Sequence, residues 1–140
     1  MTERPISDRR VERLRLALDV PLLRFLGASA IDEADPAAGL SFVVGAESLN
    51  AAAALHGGVI ATVLDVVAYL TLLAHLEDSE EAITHAFSAS YMSGAGIGDR
   101  VEAHATVLRR TARLGFVAAE MRADSALLAT ALVTKSIKRR

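Results

Sequence analysis

One acidic residue in a long apolar segment is the first candidate for chemistry in this 140-residue chain. From Gly57 to Ala74 the sequence reads GGVIATVLDVVAYLTLLA, and Asp65 is the only charged side chain in it. Burying an ionised carboxylate is costly unless another group compensates it, so a helix needed only for packing would carry leucine or alanine there. Asp65 is therefore a candidate functional residue. The alternative is a structural carboxylate that is hydrogen-bonded to the backbone or to Thr62.

The residues that open this segment could bind a developing negative charge. Gly57 and Gly58 have no side chains, so a ligand can approach their backbone closely. The first N–H groups of a helix lack partners within it, and the helix dipole adds partial positive charge there. Such donors stabilise a carbonyl oxygen that becomes negative during acyl transfer. His56 could orient a substrate and Asn50 could hold a water molecule, although either could instead be a cap or turn residue.

The distance along the helix between these two candidate regions predicts that they meet between two copies of the chain. Asp65 lies eight residues after Gly57, which is about 12 Å along a helix axis at 1.5 Å per residue. Reacting groups must approach to roughly 3–3.5 Å, so one helix cannot easily bring both residues to the same carbonyl group. Two helices packed antiparallel could do so. The spacing therefore predicts a two-fold dimer with two equivalent sites shared between its subunits.

The elements that would position these residues follow from the periodicity of apolar side chains. A long buried helix is predicted from about Gly57 to Leu76, followed by a solvated loop at Glu77–Glu81. Alternation of apolar and polar residues then predicts four antiparallel strands. These strands are Ile83–Met92, Val101–Arg109, Leu114–Ala123 and Ala126–Ile137. A long apolar helix beside such a sheet predicts an α+β fold in which the sheet wraps around the helix.

The first part of the chain is predicted to contain shorter elements. Helices are predicted at Asp8–Val20 and from Pro21 to Gly27. Strands are predicted at Ala28–Asp35 and Leu40–Val44, and Ser48–Leu55 is predicted to be a connector that ends at His56. We expect one domain over residues 1–140, with residues 1–20 as an N-terminal helical extension.

Composition argues against several classes of protein. The net charge of −2, the aromatic content of 4% and the absence of Trp argue against nucleic-acid binding. The absence of Cys excludes disulfides and cysteine catalysis. A membrane span is disfavoured because a central Asp65 costs about 2.5–3.5 kcal/mol in a bilayer. With no signal-peptide pattern at the N-terminus, we expect a cytoplasmic protein, and the mean hydropathy of +0.35 favours an oligomer.

The spacing of these residues resembles a known family signature. The segment N50-AAAAL-H56-G57-G58-VIATVL-D65 is similar to the motif of the PaaI-like thioesterases, which have the hotdog fold. In that motif Asn is followed by five residues, His-Gly-Gly, six residues, and Asp or Glu. The resemblance covers about residues 21–137, and it implies an antiparallel sheet around one long central helix, assembled as a homodimer or homotetramer.

The resemblance implies hydrolysis of a small or aryl acyl-CoA thioester, with roles for particular residues. Gly57 N–H would polarise the carbonyl group, and Asp65 of the neighbouring subunit would be the nucleophile or the general base. Asn50 would position the water or Asp65, His56 would position the thioester, and Thr84 would assist the water. No metal or separate cofactor is implied, because coenzyme A is part of the substrate. One departure is Ala53, which stands where many relatives have Gly.

Three arginines near one strand junction are candidates for binding the coenzyme A phosphates, together with the Gly58 backbone. They are Arg109, Arg110 and Arg113. The planar guanidinium group suits phosphate recognition, although such a cluster can also be a solvated strand end. Thr111 and Ala112 replace a Gly followed by Arg or Lys that is common in the family. The C-terminal run KSIKRR, residues 135–140, is interpreted as a charged terminus.

Three other functions stay open at this point. A hotdog enoyl- or hydroxyacyl-thioester hydratase would show a His paired with an acidic residue in a different arrangement. The second is a non-catalytic acyl-CoA-binding protein, and the third is a protein that uses its sheet only for assembly. His75, His85 and His104 lack the spaced acidic or Cys partners of a metal site, so no metal site is predicted.

Overall fold

An apolar helix packed against one face of an antiparallel sheet is the centre of the fold. The computed structural model describes residues 8–140, so residues 1–7 of the predicted N-terminal extension lie outside the described residues. The helices are α1 (Asp8–Leu18), α2 (Pro21–Leu26) and α3 (Gly57–Leu72). The strands are β1 (Ser29–Ala30), β2 (Leu40–Val43), β3 (Glu80–Tyr91), β4 (Arg100–Arg110), β5 (Leu114–Ala123) and β6 (Ala126–Arg139).

The six strands form one sheet in the order β1-β2-β4-β5-β6-β3, and each neighbouring pair is antiparallel. The register places Lys135 of β6 between Gly115 of β5 and Thr84 of β3. Strand β3 lies at one edge and pairs only with β6 within the described residues 8–140, so the other side of this 12-residue strand is unpaired there.

Helix α3 is buried by the sheet because its side chains are apolar on most sides. It contacts β3, β4, β5 and β6, and Val63, Leu64 and Val67 are fully buried. A Cβ added at Gly115 would lie 2.8 Å from the Leu72 methyl groups, so a glycine in β5 lets the helix approach the sheet. The segment Gly57–His75 is long and apolar enough to span a membrane, but 56% of its most apolar 18-residue stretch is buried inside the protein. The predicted α+β hotdog arrangement is confirmed.

The first predicted strand is mostly wrong. Only Ser29–Ala30 of the predicted strand Ala28–Asp35 pairs with β2. Two aspartates explain this, because Asp32 Oδ1 accepts from Ala34 N at 2.9 Å and Asp35 Oδ1 accepts from Ala37 N at 3.0 Å. Short polar side chains that bond to nearby backbone N–H groups favour turns over strands.

The end of α3 and the start of β3 also differ from the prediction. Helix α3 ends at Leu72 and continues as a 3₁₀ turn to His75, and the predicted loop residues Glu80 and Glu81 begin β3. Burial alone would raise the pKa of Glu80, but hydrogen bonds from Glu77 N–H and the Arg110 guanidinium outweigh it and hold that pKa below its ordinary value. A buried carboxylate with such partners is compatible with a strand.

Candidate active site

The N-terminus of α3 presents an open backbone amide. His56 caps the helix, and its Nδ1 accepts from Gly58 N at 2.8 Å. Because Nδ1 is the acceptor, a neutral His56 carries its proton on Nε2, and the side chain is exposed. Val59 N and Ile60 N both donate to His56 O. Within residues 8–140 no group accepts from Gly57 N–H, which leaves it available to a ligand.

The two glycines differ in the space around them. A Cβ at Gly58 would lie 3.1 Å from His56 Nδ1, so this position must be small while His56 caps the helix. A Cβ at Gly57 would lie 3.5 Å from the Tyr91 ring, which is ordinary van der Waals contact. Tyr91 Oη donates to Gly57 O at 3.0 Å. Gly57 therefore tolerates a small side chain, and Gly58 does so only if His56 moves.

Asn50 shapes the connector that leads into the helix. Its Oδ1 accepts from Ala52 N at 2.9 Å and from Ala54 N at 3.1 Å. The backbone of His56 donates to Ser48 O at 2.8 Å, which joins the start of the connector to the start of α3. Asn50 thus stabilises the turn through its Oδ1 atom. A contact of its amide NH₂ group with water or with Asp65 stays a prediction.

Ala53, which stands where many relatives have Gly, has a strained backbone conformation. Ala53 has a φ of 59°, in the left-handed region that favours glycine. We expect Ala53→Gly to raise the free energy of unfolding by about 0.5–1 kcal/mol, because relief of about 1–2 kcal/mol exceeds the entropy that glycine loses on folding. Urea denaturation would measure this. Ala52→Gly, in the same exposed connector, is the control, and equal effects of the two substitutions would contradict the prediction.

Asp65 lies in a cluster of three polar side chains. Its Oδ1 accepts from Thr84 Oγ1 at 2.6 Å and from Lys135 Nζ at 2.9 Å. Lys135 Nζ also donates to Thr84 Oγ1 at 2.7 Å and to Asp65 O at 3.2 Å. The Lys135 side chain is 4% exposed and that of Asp65 is 38% exposed. A buried ammonium therefore compensates the carboxylate in the apolar helix.

Lys135 is a member of this cluster that the sequence pattern did not predict. The run of residues 135–140 predicts a charged terminus, but Lys135 is buried in β6 and faces α3. The signal that could have found it is the alternation of side chains along a strand. Positions 133, 135 and 137 face the same side, and Val133, Lys135 and Ile137 are all buried. A lysine at an inward position of a strand needs a partner, and Asp65 is the charged residue of the central helix.

One oxygen of Asp65 is left for chemistry. Both hydrogen-bond donors reach Oδ1, and within residues 8–140 no donor reaches Oδ2. The cluster borders an open depression of about 380 Å³. Its other lining residues are Ala17, Val66, Tyr69, Glu81 and Ala82. The geometry thus gives a held carboxylate with one free oxygen beside space for a substrate.

The structure brings the predicted residues together as two groups within one chain. Gly57, Gly58 and His56 lie at the start of α3. Asp65 lies about two turns further along this helix, where it contacts Thr84 of β3. No hydrogen bond joins the two groups among the described residues. This separation agrees with the expectation that one helix cannot bring both to one carbonyl group.

The arginine cluster does not act as one unit. Arg110 pairs with the buried Glu80, so within the chain its guanidinium already has a carboxylate partner. Arg110 thus has a structural contact within the chain, and phosphate binding by Arg110 stays a prediction. Arg109 and Arg113 are exposed, and phosphate binding by these two residues stays a prediction.

Comparisons with known proteins identify a family and similar folds. The sequence model of the thioesterase superfamily matches residues 53–130, which is more than half of the chain and includes Gly57 and Asp65. The PaaI protein of the E. coli phenylacetic acid degradation operon has a TM-score of 0.82 at 18% identity, over 96% of both chains.

Two further solved structures are similar. A phenylacetic acid degradation-related protein of Ralstonia eutropha has a TM-score of 0.77 at 26% identity, over 92% of this chain and 99% of that chain. A Bacillus halodurans protein crystallised with CoA has a TM-score of 0.77 at 18% identity, over 96% and 86% of the two chains. No curated protein matches the chain.

Proposed function

Because the chain belongs to the thioesterase superfamily, we propose that it hydrolyses a small or aryl acyl-CoA thioester to the free acid and CoA. The observation that carries the proposal is Asp65, whose Oδ1 accepts from Thr84 and Lys135 while no donor in the described part of the chain reaches its Oδ2. The CoA complex of the Bacillus halodurans protein supports coenzyme A as the thiol. The Ralstonia eutropha protein related to phenylacetic acid degradation supports a small or aryl acyl group.

The proposed active unit is a homodimer, and a homotetramer would be two such dimers. On the unpaired side of the 12-residue strand β3, every second residue points its backbone N–H and C=O groups towards a second copy. Tyr91 and Met92, at the end of this edge strand, are about half exposed. A two-fold axis at this edge would extend the sheet and place both α3 helices on one face of it, so that each helix start can approach the partner's Asp65.

In the proposed reaction the thioester carbonyl oxygen accepts a hydrogen bond from Gly57 N–H of one subunit. Asp65 of the other subunit acts through Oδ2 by one of two routes. As general base, it takes a proton from water while the water oxygen attacks the carbonyl carbon. As nucleophile, it attacks that carbon itself and forms an acyl anhydride that water then hydrolyses. In both routes the C–S bond breaks, and the leaving thiolate becomes CoA thiol by taking a proton that comes from the water consumed in the reaction.

Two neighbouring side chains have narrower roles in this proposal. Thr84 donates its hydroxyl proton to Asp65 Oδ1 at 2.6 Å, so it can contact the attacking water only as an acceptor. His56 uses Nδ1 to cap the helix, which leaves Nε2–H to donate to the thioester. The first-turn amide, the carboxylate and the imidazole would then surround the reacting carbonyl group.

Thiol release from a panel of CoA thioesters with phenylacetyl, benzoyl and short aliphatic acyl groups tests the proposal. We expect release with at least one of them, at a rate that Asp65→Asn lowers by about 10²–10⁴-fold. When enoyl-CoA is supplied as an additional substrate, loss of its absorbance without free thiol would instead support a hydratase. Binding of the panel without release would support an acyl-CoA-binding protein. Hydrolysis in ¹⁸O water under single-turnover conditions separates the two routes, because only the anhydride route labels Asp65.

Substitutions at His56 separate capping from catalysis. We expect His56→Ala to lower the free energy of unfolding by about 1 kcal/mol, the usual value of an N-cap. His56→Asn keeps a good cap, so its unfolding free energy should stay within about 0.5 kcal/mol of the wild-type value. Both variants should lose about tenfold in kcat, which corresponds to one hydrogen bond from Nε2–H. Urea unfolding and thiol release measure the two effects, and wild-type kcat in His56→Asn would make His56 only a cap.

A further inference from the structure

Lys135 directs its whole hydrogen-bonding capacity at the Asp65 cluster. An ammonium group has three donors and no acceptor, and Lys135 Nζ has three acceptors within reach. They are Asp65 Oδ1 at 2.9 Å, Asp65 O at 3.2 Å and Thr84 Oγ1 at 2.7 Å. With the side chain 4% exposed, solvent competes little for these donors. No donor is left for a substrate phosphate or for another carboxylate.

This arrangement fixes the direction of the Thr84 hydroxyl. Because a Lys135 N–H points at Thr84 Oγ1, the threonine proton must point elsewhere, and Asp65 Oδ1 lies 2.6 Å away. Each side of the triangle is therefore a hydrogen bond, and two of them end on the same carboxylate oxygen. Hydrogen bonds to an ionised acceptor are stronger and shorter than neutral ones. The carboxylate is thus held with Oδ1 inward and Oδ2 outward.

The nearby acidic residue does not compete for Lys135. Glu81 also lines the depression, but its carboxylate accepts from Tyr69 Oη at 3.1 Å and pairs with Arg13 and Arg140. Among the described residues, Asp65 is the carboxylate that pairs with Lys135. The Tyr69 ring lies 6.0 Å from Nζ and adds a weaker attraction.

Packing alone does not account for a lysine at this position. Its neighbours on the same face of β6, Val133 and Ile137, are buried apolar residues, and an apolar side chain of similar length would continue that pattern. Removing an ammonium group from water costs free energy, and its attraction to a paired carboxylate often only offsets this desolvation cost. The contacts of Lys135 instead converge on the residue that carries the proposed chemistry.

We propose that Lys135 is a positioning residue for hydrolysis: it holds Asp65 Oδ1, directly and through Thr84, so that Oδ2 alone faces the thioester or its water. This inference rests on the proposed function. Because all three N–H groups of Lys135 already donate within the cluster, none is left for substrate or water, and Lys135 acts only through Asp65. Its loss should therefore slow the chemical step without weakening the binding of the thioester.

The test compares Lys135→Met with Lys138→Met by thiol release on the best substrate of the panel. Lys138 is an exposed lysine of the same strand, so it is a matched control. We expect Lys135→Met to lower kcat by about 10–100-fold and to change KM by less than about threefold, since the loss of orientation acts on kcat. Lys138→Met should keep both values. Lys135→Gln retains a hydrogen-bond donor without the charge, so its kcat should lie between those of the wild type and Lys135→Met. If Lys135→Met does not fold, Lys135→Gln replaces it in the test.

The same substitution on the Asp65→Asn background separates positioning from a structural role. If Lys135 acts through the carboxylate, Lys135→Met should lower the residual kcat of Asp65→Asn by less than about twofold. An equal loss on both backgrounds would overturn the inference, as would wild-type kcat in Lys135→Met. If the wild-type protein released no thiol from any thioester, both the proposed function and this inference would be overturned. If the wild type were active and Lys135→Met left kcat unchanged, only the inference would be overturned.

Discussion

Replacing Asp65 by asparagine is expected to lower kcat for thioester hydrolysis by about 10²–10⁴-fold, the usual contribution of a general base. The asparagine carbonyl can still accept from Thr84 and Lys135, as Asp65 Oδ1 does at 2.6 and 2.9 Å. Its NH₂ group replaces Oδ2 and can neither take a proton from water nor attack a carbonyl carbon. Thiol release at saturating substrate measures the loss.

Asparagine is a better probe than alanine because of Lys135. Both substitutions remove the negative charge that faces the Lys135 ammonium, but Asp65→Ala also removes the oxygen that accepts from Lys135 and Thr84, and a buried donor left without an acceptor costs about 1–3 kcal/mol. The lost activity of Asp65→Ala would then mix unfolding with chemistry, whereas Asp65→Asn, which keeps this acceptor, should unfold at a higher urea concentration than Asp65→Ala. If a folded Asp65→Asn protein hydrolysed the thioester at a near-normal rate, Asp65 would have no part in the mechanism.

The local pattern of the sequence was enough to predict the main elements of the fold. The apolar run after Gly57 predicted the central helix, and period-two alternation predicted the four long strands, with ends within about three residues of those observed. The start of α3 was also predictable, because His56 followed by two glycines combines a capping side chain with an open first turn. Each of these features depends on residues that are close together in the chain.

Features that depend on long-range register could not be predicted in this way. Lys135 and Asp65 are 70 residues apart, and their contact requires both the pairing of β6 with β3 and the position of α3 over the sheet. Arg110 shows the same limit. A bulge in β4 between Val107 and Arg109 shifts the alternation, so that Arg110 turns inward to Glu80 and Arg109 turns outward. Periodicity alone does not reveal a bulge.

Replacing Gly57 by proline should remove the proposed oxyanion donor while keeping the helix. Gly57 is the first residue of α3, a position at which proline is favoured because its missing N–H has no partner in the helix. His56, with φ −64° and ψ 132°, already has the extended conformation that a following proline requires. We expect kcat to fall by about 10²–10³-fold, the usual loss for one oxyanion-hole donor.

Alanine at the same position is the matched control. Gly57→Ala keeps the N–H, and its Cβ would lie 3.5 Å from the Tyr91 ring without a clash. Its kcat should therefore stay within about threefold of the wild-type value, since the donor of the oxyanion hole is retained. Equal losses in the proline and alanine variants would mean that the side chain, and not the missing amide, causes the effect.

Mixing the two inactive variants tests whether the site is shared. In a dimer of one Asp65→Asn subunit and one Gly57→Pro subunit, one site would combine the intact Gly57 amide with the partner's intact Asp65, and the other site would have neither. Random mixing makes about half of the dimers mixed, each with one of its two sites active, so about a quarter of wild-type activity should return. Co-expression of the two variants, followed by thiol release, measures this recovery. If amide and carboxylate acted within one subunit, every site would lack one of them, and the mixture would stay at the level of its inactive parents.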